Sequence, residues 1–169
     1  SGALALEGEL DEAALNQALA RIVQRHAVLR TRFVEQDGDV RQVIKPEPRW
    51  GSSRLTLAAD DAAGLRAALA SEAAQPFNLS EGPLLRTLLV RQQAQRHVLH
   101  LTLHHIIADG WSIGVLVDEL SALYKAFRRD TSDPLPALAI QYADYAAWQR
   151  QWLAGERGAE QLAYWLAHL

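Results

Sequence analysis

Apolar residues first recur with helical spacing. Leu15, Leu19, Ile22 and Val23 form one stripe, preceded by Asp11 as a candidate N-cap with Glu12 in the first turn. Leu10 and Leu15 stand where a hydrophobic staple would close around that cap. The pattern predicts a helix running to about His26, after a short apolar strand at 4–10. The period then changes to two. Arg32-Phe33-Val34-Glu35 and Val40-Arg41-Gln42-Val43-Ile44 flank Asp37-Gly38, and an Asp-Gly pair between β-prone runs predicts a hairpin. Pro46, Pro48 and Gly51 mark a loop, and Leu55-Thr56-Leu57 reads as a short strand. Asp60 or Asp61 caps a second helix with Leu65 and Leu69 on its inner face, closed by Pro76. Residues 84–91 and 97–105, separated by a polar turn at 92–96, read as an antiparallel pair. A helix from about Ser112 carries Leu116, Leu120, Leu123 and Phe127 on one stripe. A polar linker at 128–136 leads to a helical, aromatic end with Tyr142, Tyr145, Trp148, Trp152, Tyr164 and Trp165. Strands and helices alternate, so the expected fold class is α/β or α+β, a mixed sheet flanked by helices.

Composition narrows the classes. The 169 residues are 49% hydrophobic and 22% charged, ordinary for a folded domain. Seventeen basic against twenty acidic residues give a net charge of −3 with no Lys/Arg cluster, which argues against a nucleic-acid surface. The absence of cysteine excludes disulfides, thiolate zinc sites and cysteine nucleophiles. No apolar run approaches a membrane span and no basic leader opens the chain, so the expected location is the cytoplasm. Starting at Ser1-Gly2-Ala3-Leu4, without Met, the chain reads as an excised or processed piece.

Reactive chemistry concentrates in Leu103-His104-His105-Ile106-Ile107-Ala108-Asp109-Gly110-Trp111-Ser112, where an apolar strand meets a glycine turn and a helix. Strand alternation places His105 with Leu99, Leu101 and Leu103, and His104 with His100 and Thr102. Adjacent imidazoles pointing opposite ways do not suit one metal ion, and no third ligand follows, so no metal site is assigned. On the apolar face His105 would stay neutral by desolvation and could accept a proton from a nucleophile. Asp109 is read as buried or capping, in which case burial calls for an Arg partner.

His104-His105-Ile106-Ile107-Ala108-Asp109-Gly110 matches the HHxxxDG signature of the chloramphenicol-acetyltransferase-like superfamily. More narrowly, the chain resembles condensation domains of nonribosomal peptide synthetases. Arg25-His26-Ala27-Val28-Leu29-Arg30-Thr31-Arg32-Phe33 is similar to that family's RHExLRTxF, with Ala27 for Glu. Leu103 to Ser112 is similar to MHHxxSDGWS, with Leu103 for Met and Ala108 for Ser. Tyr142-Ala143-Asp144-Tyr145-Ala146-Ala147-Trp148 is similar to YxDYAxW. Pro76-Phe77-Asn78-Leu79 and Gly82-Pro83-Leu84-Leu85-Arg86 resemble the usual approach to the histidine strand.

The resemblance implies a single acetyltransferase-like lobe, the N-terminal one of two, trimmed at its start because the SxAQxRxWxL motif is missing. The C-terminal lobe is expected to be absent, and the piece alone inactive. It further implies peptide-bond formation between a donor acyl thioester and an acceptor aminoacyl amine. Donor and acceptor peptidyl carrier proteins would present both on phosphopantetheine arms, with no cofactor bound directly. His105 is the implied catalytic residue, as base or as orienter of the amine. His104 and Gly110 belong to the motif, the latter offering a backbone N–H or a positive-φ turn. Asp109 is expected to pair with Arg25 first and Arg30 second. Trp111 and Ser112 are substrate-channel candidates, whereas Tyr142, Tyr145 and Trp148 are expected in the core. Exposed apolar area would favour self-association. The rival readings are another HHxxxDG acyltransferase and a non-catalytic module that docks carrier proteins or a modifying enzyme.

Overall fold

The computed structural model describes residues 1–47 and 49–169; Pro48, expected in a loop, lies outside the described residues. Two compact units, Ser1–Pro136 and Ala137–Leu169, are described in turn.

The first unit contains a four-stranded sheet of β1 (Gly2–Glu7), β4 (Gly51–Thr56), β5 (Leu85–Gln93) and β6 (Arg96–Leu103) in the order β1-β6-β5-β4. β1 pairs antiparallel with β6 and β6 antiparallel with β5, while β4 runs parallel to β5, so the sheet is mixed. β2 (Thr31–Gln36) and β3 (Asp39–Ile44) form a separate hairpin. Its turn holds Asp37 at φ 55° and Gly38 at φ 83°, the left-handed pair that lets two right-twisted strands meet.

Helix α1 (Glu12–Arg25) opens with the Asp11 carboxylate accepting from the Ala14 N–H at 2.9 Å. It buries Leu15, Leu19, Ile22 and Val23 together with two alanines. Helix α3 (Gly110–Phe127) buries Leu116, Leu120 and Leu123 against the same core, joined by Leu85, Leu89, Leu99 and Leu101 from one face of the sheet. Tyr124 ties the two helices, its hydroxyl accepting from the Asp11 N–H at 3.1 Å. Helix α2 (Ala62–Ala74), capped by Asp61 through the Gly64 N–H, covers the opposite face. Leu65 and Leu69 are only half-buried there, and the one buried side chain of α2 is Glu72, which meets Arg86.

Three boundaries differ from the sequence expectation. β4 starts at Gly51 because its parallel partner continues to Arg86. The turn between β5 and β6 shrinks to Ala94-Gln95, with a ladder irregularity at Arg91/Gln93 absorbing the difference. β6 stops at Leu103 and α3 begins at Gly110, which moves the connection two residues back along the chain and brings both histidines into it.

The second unit is a pair of helices, α4 (Tyr142–Ala154) and α5 (Glu156–His168), joined at Gly155. Asp144 closes the start of α4 by accepting from the Gln141 N–H at 2.8 Å. The expectation that Tyr142, Tyr145 and Trp148 are core residues is not met. They are 51%, 41% and 55% exposed, and neither helix has a buried residue. They instead form a ladder along α4 with Trp152, at centroid separations of 5.9, 5.7 and 6.4 Å.

Candidate active site at the end of strand β6

The ladder between β5 and β6 ends one step past Leu103, where the His104 N–H donates to the Leu84 carbonyl at 3.1 Å. His104 then turns the chain. Its Nδ1 accepts from the Ile106 N–H at 3.0 Å, and its carbonyl accepts from the Ile107 N–H at 3.1 Å. The ring meets Phe77 edge to face at 5.8 Å. Phe77 in turn lies under the Arg86 guanidinium, 3.9 Å from the ring centroid, and Arg86 Nε is 2.6 Å from the buried Glu72. His104 is therefore held by its own turn and by a buttress of Phe77, Arg86 and Glu72. Sequence reasoning missed Glu72; its signal is a lone carboxylate in an alanine-rich helix.

His105 sits exposed on this turn. The expectation that it shares the apolar face with Leu99, Leu101 and Leu103 is corrected, because strand alternation stops at Leu103. The burial invoked for a neutral imidazole is missing. Ile107 returns to the core at 7% exposure, so the exposed imidazole rides on a loop anchored at both ends. The buried histidines of β6 are His97 and His100, each at 4% exposure, and burial pushes the pKa of His100 below the ordinary 6.5.

Asp109 does not occupy a buried ion pair. It is exposed and caps α3, its carboxylate accepting from the Ser112 N–H at 2.9 Å and the Ser112 hydroxyl at 2.7 Å. Those bonds hold the carboxyl below its usual range, the Ser112 hydroxyl contributing most. The Ser112 hydroxyl is thereby committed to the cap. Gly110 is the first residue of α3, without positive φ, and an added Cβ would meet nothing within 4 Å. The positive-φ role expected for it is not observed. Trp111 stands 84% exposed.

Arg25 and Arg30 serve the architecture. Arg25, 6% exposed at its side chain, reaches Glu119 at 3.0 Å and donates to the Pro136 carbonyl at 2.6 Å. Glu119 also takes His26 Nε2 at 2.6 Å. Arg30 donates to the carbonyls of Val23, Gln24 and Lys45, tying the end of α1 to the hairpin. The pairing of either arginine with Asp109 is thus replaced by these contacts, because Asp109 is spent on its helix. Glu119 was legible only as a charge beside the Leu116, Leu120 and Leu123 stripe. Between the His26 region and the start of α3 lies an apolar cleft of about 170 Å³, floored by Leu29, Leu103 and Ile107 and edged by His26, Trp111 and Ser112.

A family model described as the Condensation domain matches residues 1–169. The chain belongs to the condensation-domain family. Tyrocidine synthase 3 of Brevibacillus parabrevis is 40% identical over 166 residues, covering 98% of this chain and 2% of that protein. Malpinin synthetase of Mortierella alpina is 42% identical over 165 residues, 96% of this chain and 2% of its own length. Among solved structures, the X-domain from teicoplanin biosynthesis superposes with a TM-score of 0.87 at 35% identity, over 98% of this chain and 37% of that one. The starter condensation domain of the rhizomide synthetase RzmA gives 0.89 at 25% identity, over 99% and 41%. The chain therefore spans a small fraction of its curated relatives and well under half of each of these two solved chains.

Proposed function

We propose that this condensation-domain chain is the N-terminal lobe of an acyltransferase that forms peptide bonds, with His105 at the reacting centre. One observation carries the reading: the family match runs through a turn that lifts the His105 imidazole into solvent between a buried strand and a capped helix. The acceptor amine attacks the donor thioester carbonyl. A C–N bond forms, the C–S bond breaks and the carrier's thiolate leaves, while the amine's proton passes to a base. His105 either takes that proton, a role typically worth 10²–10⁴ in rate, or holds the amine in line. His104 fixes the turn, Asp109 and Ser112 fix the helix start, Arg25 and Arg30 hold the surrounding frame, and Trp111 offers a wall toward substrate. Donor and acceptor peptidyl carrier proteins would deliver both substrates on phosphopantetheine, with no cofactor resident on the lobe itself.

The second lobe would close over His105, so the lobe alone is inactive. The cytoplasm is the proposed place of work; among the described residues no helix is long and apolar enough to cross a membrane. The exposed aromatics of α4 and α5 support self-association, seen as sedimentation that rises with concentration. A docking role is the second reading, favoured by one observation: an X-domain 35% identical to this chain was solved in complex with OxyB.

The deciding experiment places His105→Ala in the intact parent synthetase and follows dipeptide from loaded carriers by mass spectrometry. Product should fall at least a hundredfold, with folding unchanged because the ring is exposed. Turnover at the parental rate would remove His105 from the mechanism and favour docking.

A further inference from the structure

A second cavity, of about 500 Å³, lies between the short 3-10 turn at Ala27–Arg30, the hairpin β2–β3 and the Gly82-Pro83 loop. Four cations line it, Arg30, Arg32, Lys45 and Arg49, against two carboxylates, Glu47 and Glu81. Among the described residues, the only ion pair joining these six groups is the loose, exposed contact of Arg49 with Glu47 at 3.9 Å. Arg30 spends its donors on neutral carbonyls, so its charge is fixed in place and uncompensated. Arg32 goes further. The residue lines the cavity, and its Nε is buried with no hydrogen-bond partner among the described residues. That atom is closed to solvent, so an anion in the cavity would meet Arg32 through the charge of its guanidinium and not through Nε. An anion that met Arg32 here would also meet the uncompensated field of Arg30 and Lys45.

We propose that this cavity binds a phosphate monoester of a small organic molecule. The surplus of two positive charges matches the charge of about −1.5 to −2 that such a group carries at neutral pH. Guanidinium forks match phosphate oxygens in pairs, and Lys45 adds a compact point charge. The volume exceeds what a bare phosphate needs, and Leu29, Pro46 and Pro83 supply an apolar wall for the ester's carbon skeleton. None of the condensation residues other than the architectural Arg30 lines this cavity, so the inference stands apart from the proposed reaction.

The test is a titration of the ¹⁵N-labelled protein, followed by amide shifts, with glycerol 3-phosphate, inorganic phosphate and glycerol at fixed ionic strength. Saturable shifts should gather at Thr31, Arg32, Lys45 and Gly82 with glycerol 3-phosphate, more weakly with phosphate and not with glycerol. Arg32→Gln and Lys45→Gln should each raise Kd roughly tenfold, the effect expected for losing one charge-assisted contact. Arg66→Gln, on the exposed side of α2, should leave Kd unchanged. If Arg32→Gln does not fold, Lys45→Gln decides, since that side chain is exposed. Shifts that fail to saturate, spread over the surface, or weaken equally in Arg66→Gln would overturn the site. Equal binding of phosphate and glycerol 3-phosphate would overturn the role of the apolar wall.

Discussion

The helix pair α1–α3 and the helix pair α4–α5 differ in what their apolar stripes meet. α1 and α3 bury ten side chains between them; α4 and α5 bury none. Both pairs carry stripes at helical spacing, and the aromatic content of the second is the higher. A stripe reports that a face is apolar and says nothing of whether it is covered. In the first pair a sheet face lies beneath the helices, and a charged clasp locks them: Glu119 of α3 receives Arg25 and His26 from the end of α1. In the second pair the rings of α4 meet one another at tilted angles along their own helix.

Breaking the clasp should have the largest effect. Glu119→Ala removes a carboxylate that is 12% exposed and shared by two partners, and should cost about 3–5 kcal/mol. Urea melts would show it, and a midpoint within error of the parent would deny the clasp its weight. Next, Leu123→Ala at 0% exposure should cost about 2–5 kcal/mol. Leu162→Ala on α5, at 61% exposure, should stay within about 0.5 kcal/mol. Equal losses at the two leucines would erase the distinction drawn between the pairs. Asp109→Ala should lower Tm by roughly 2–4 °C through the loss of one helix cap; a loss several times larger would restore a buried pair. The smallest effect concerns pH. His100 is held below its ordinary 6.5 by burial, so the unfolded chain binds its proton first as acid is added. Stability from this source is complete above pH 6.5 and declines as pH falls below it toward the lower folded value. His100→Gln should flatten that part of the stability–pH curve, and an unchanged slope would place the dependence elsewhere.

The elements legible in the sequence depend on neighbours close in the chain. Asp11 and Asp61 cap the helices that follow them by bonding N–H groups three residues on. Asp37-Gly38 makes its hairpin because two adjacent residues must take positive φ. The stripe from Leu15 to Val23 packs as its period requires. The reactive segment is legible too, and the features that fail within it are instructive. Alternation alone continues two residues too far, because nothing in the order of residues reveals that His104 Nδ1 accepts the Ile106 N–H and ends the strand. A buried Asp109 would need an arginine, yet the carboxylate is exposed and a serine three residues on already satisfies it.

Local chemistry thus settled the order of elements, the caps, the hairpin and the segment in which to look for a reaction. Folding settled which imidazole reaches solvent, which acid meets Arg25, which aromatics lie uncovered and where a surplus of positive charge surrounds a cavity. The division has one cause. Capping and turn formation act over three or four residues and are written into adjacent positions. Burial and charge pairing join groups 14 residues apart, as in Glu72 with Arg86, or 94 apart, as in Arg25 with Glu119. Such partners are chosen only when the sheet and its helices come together.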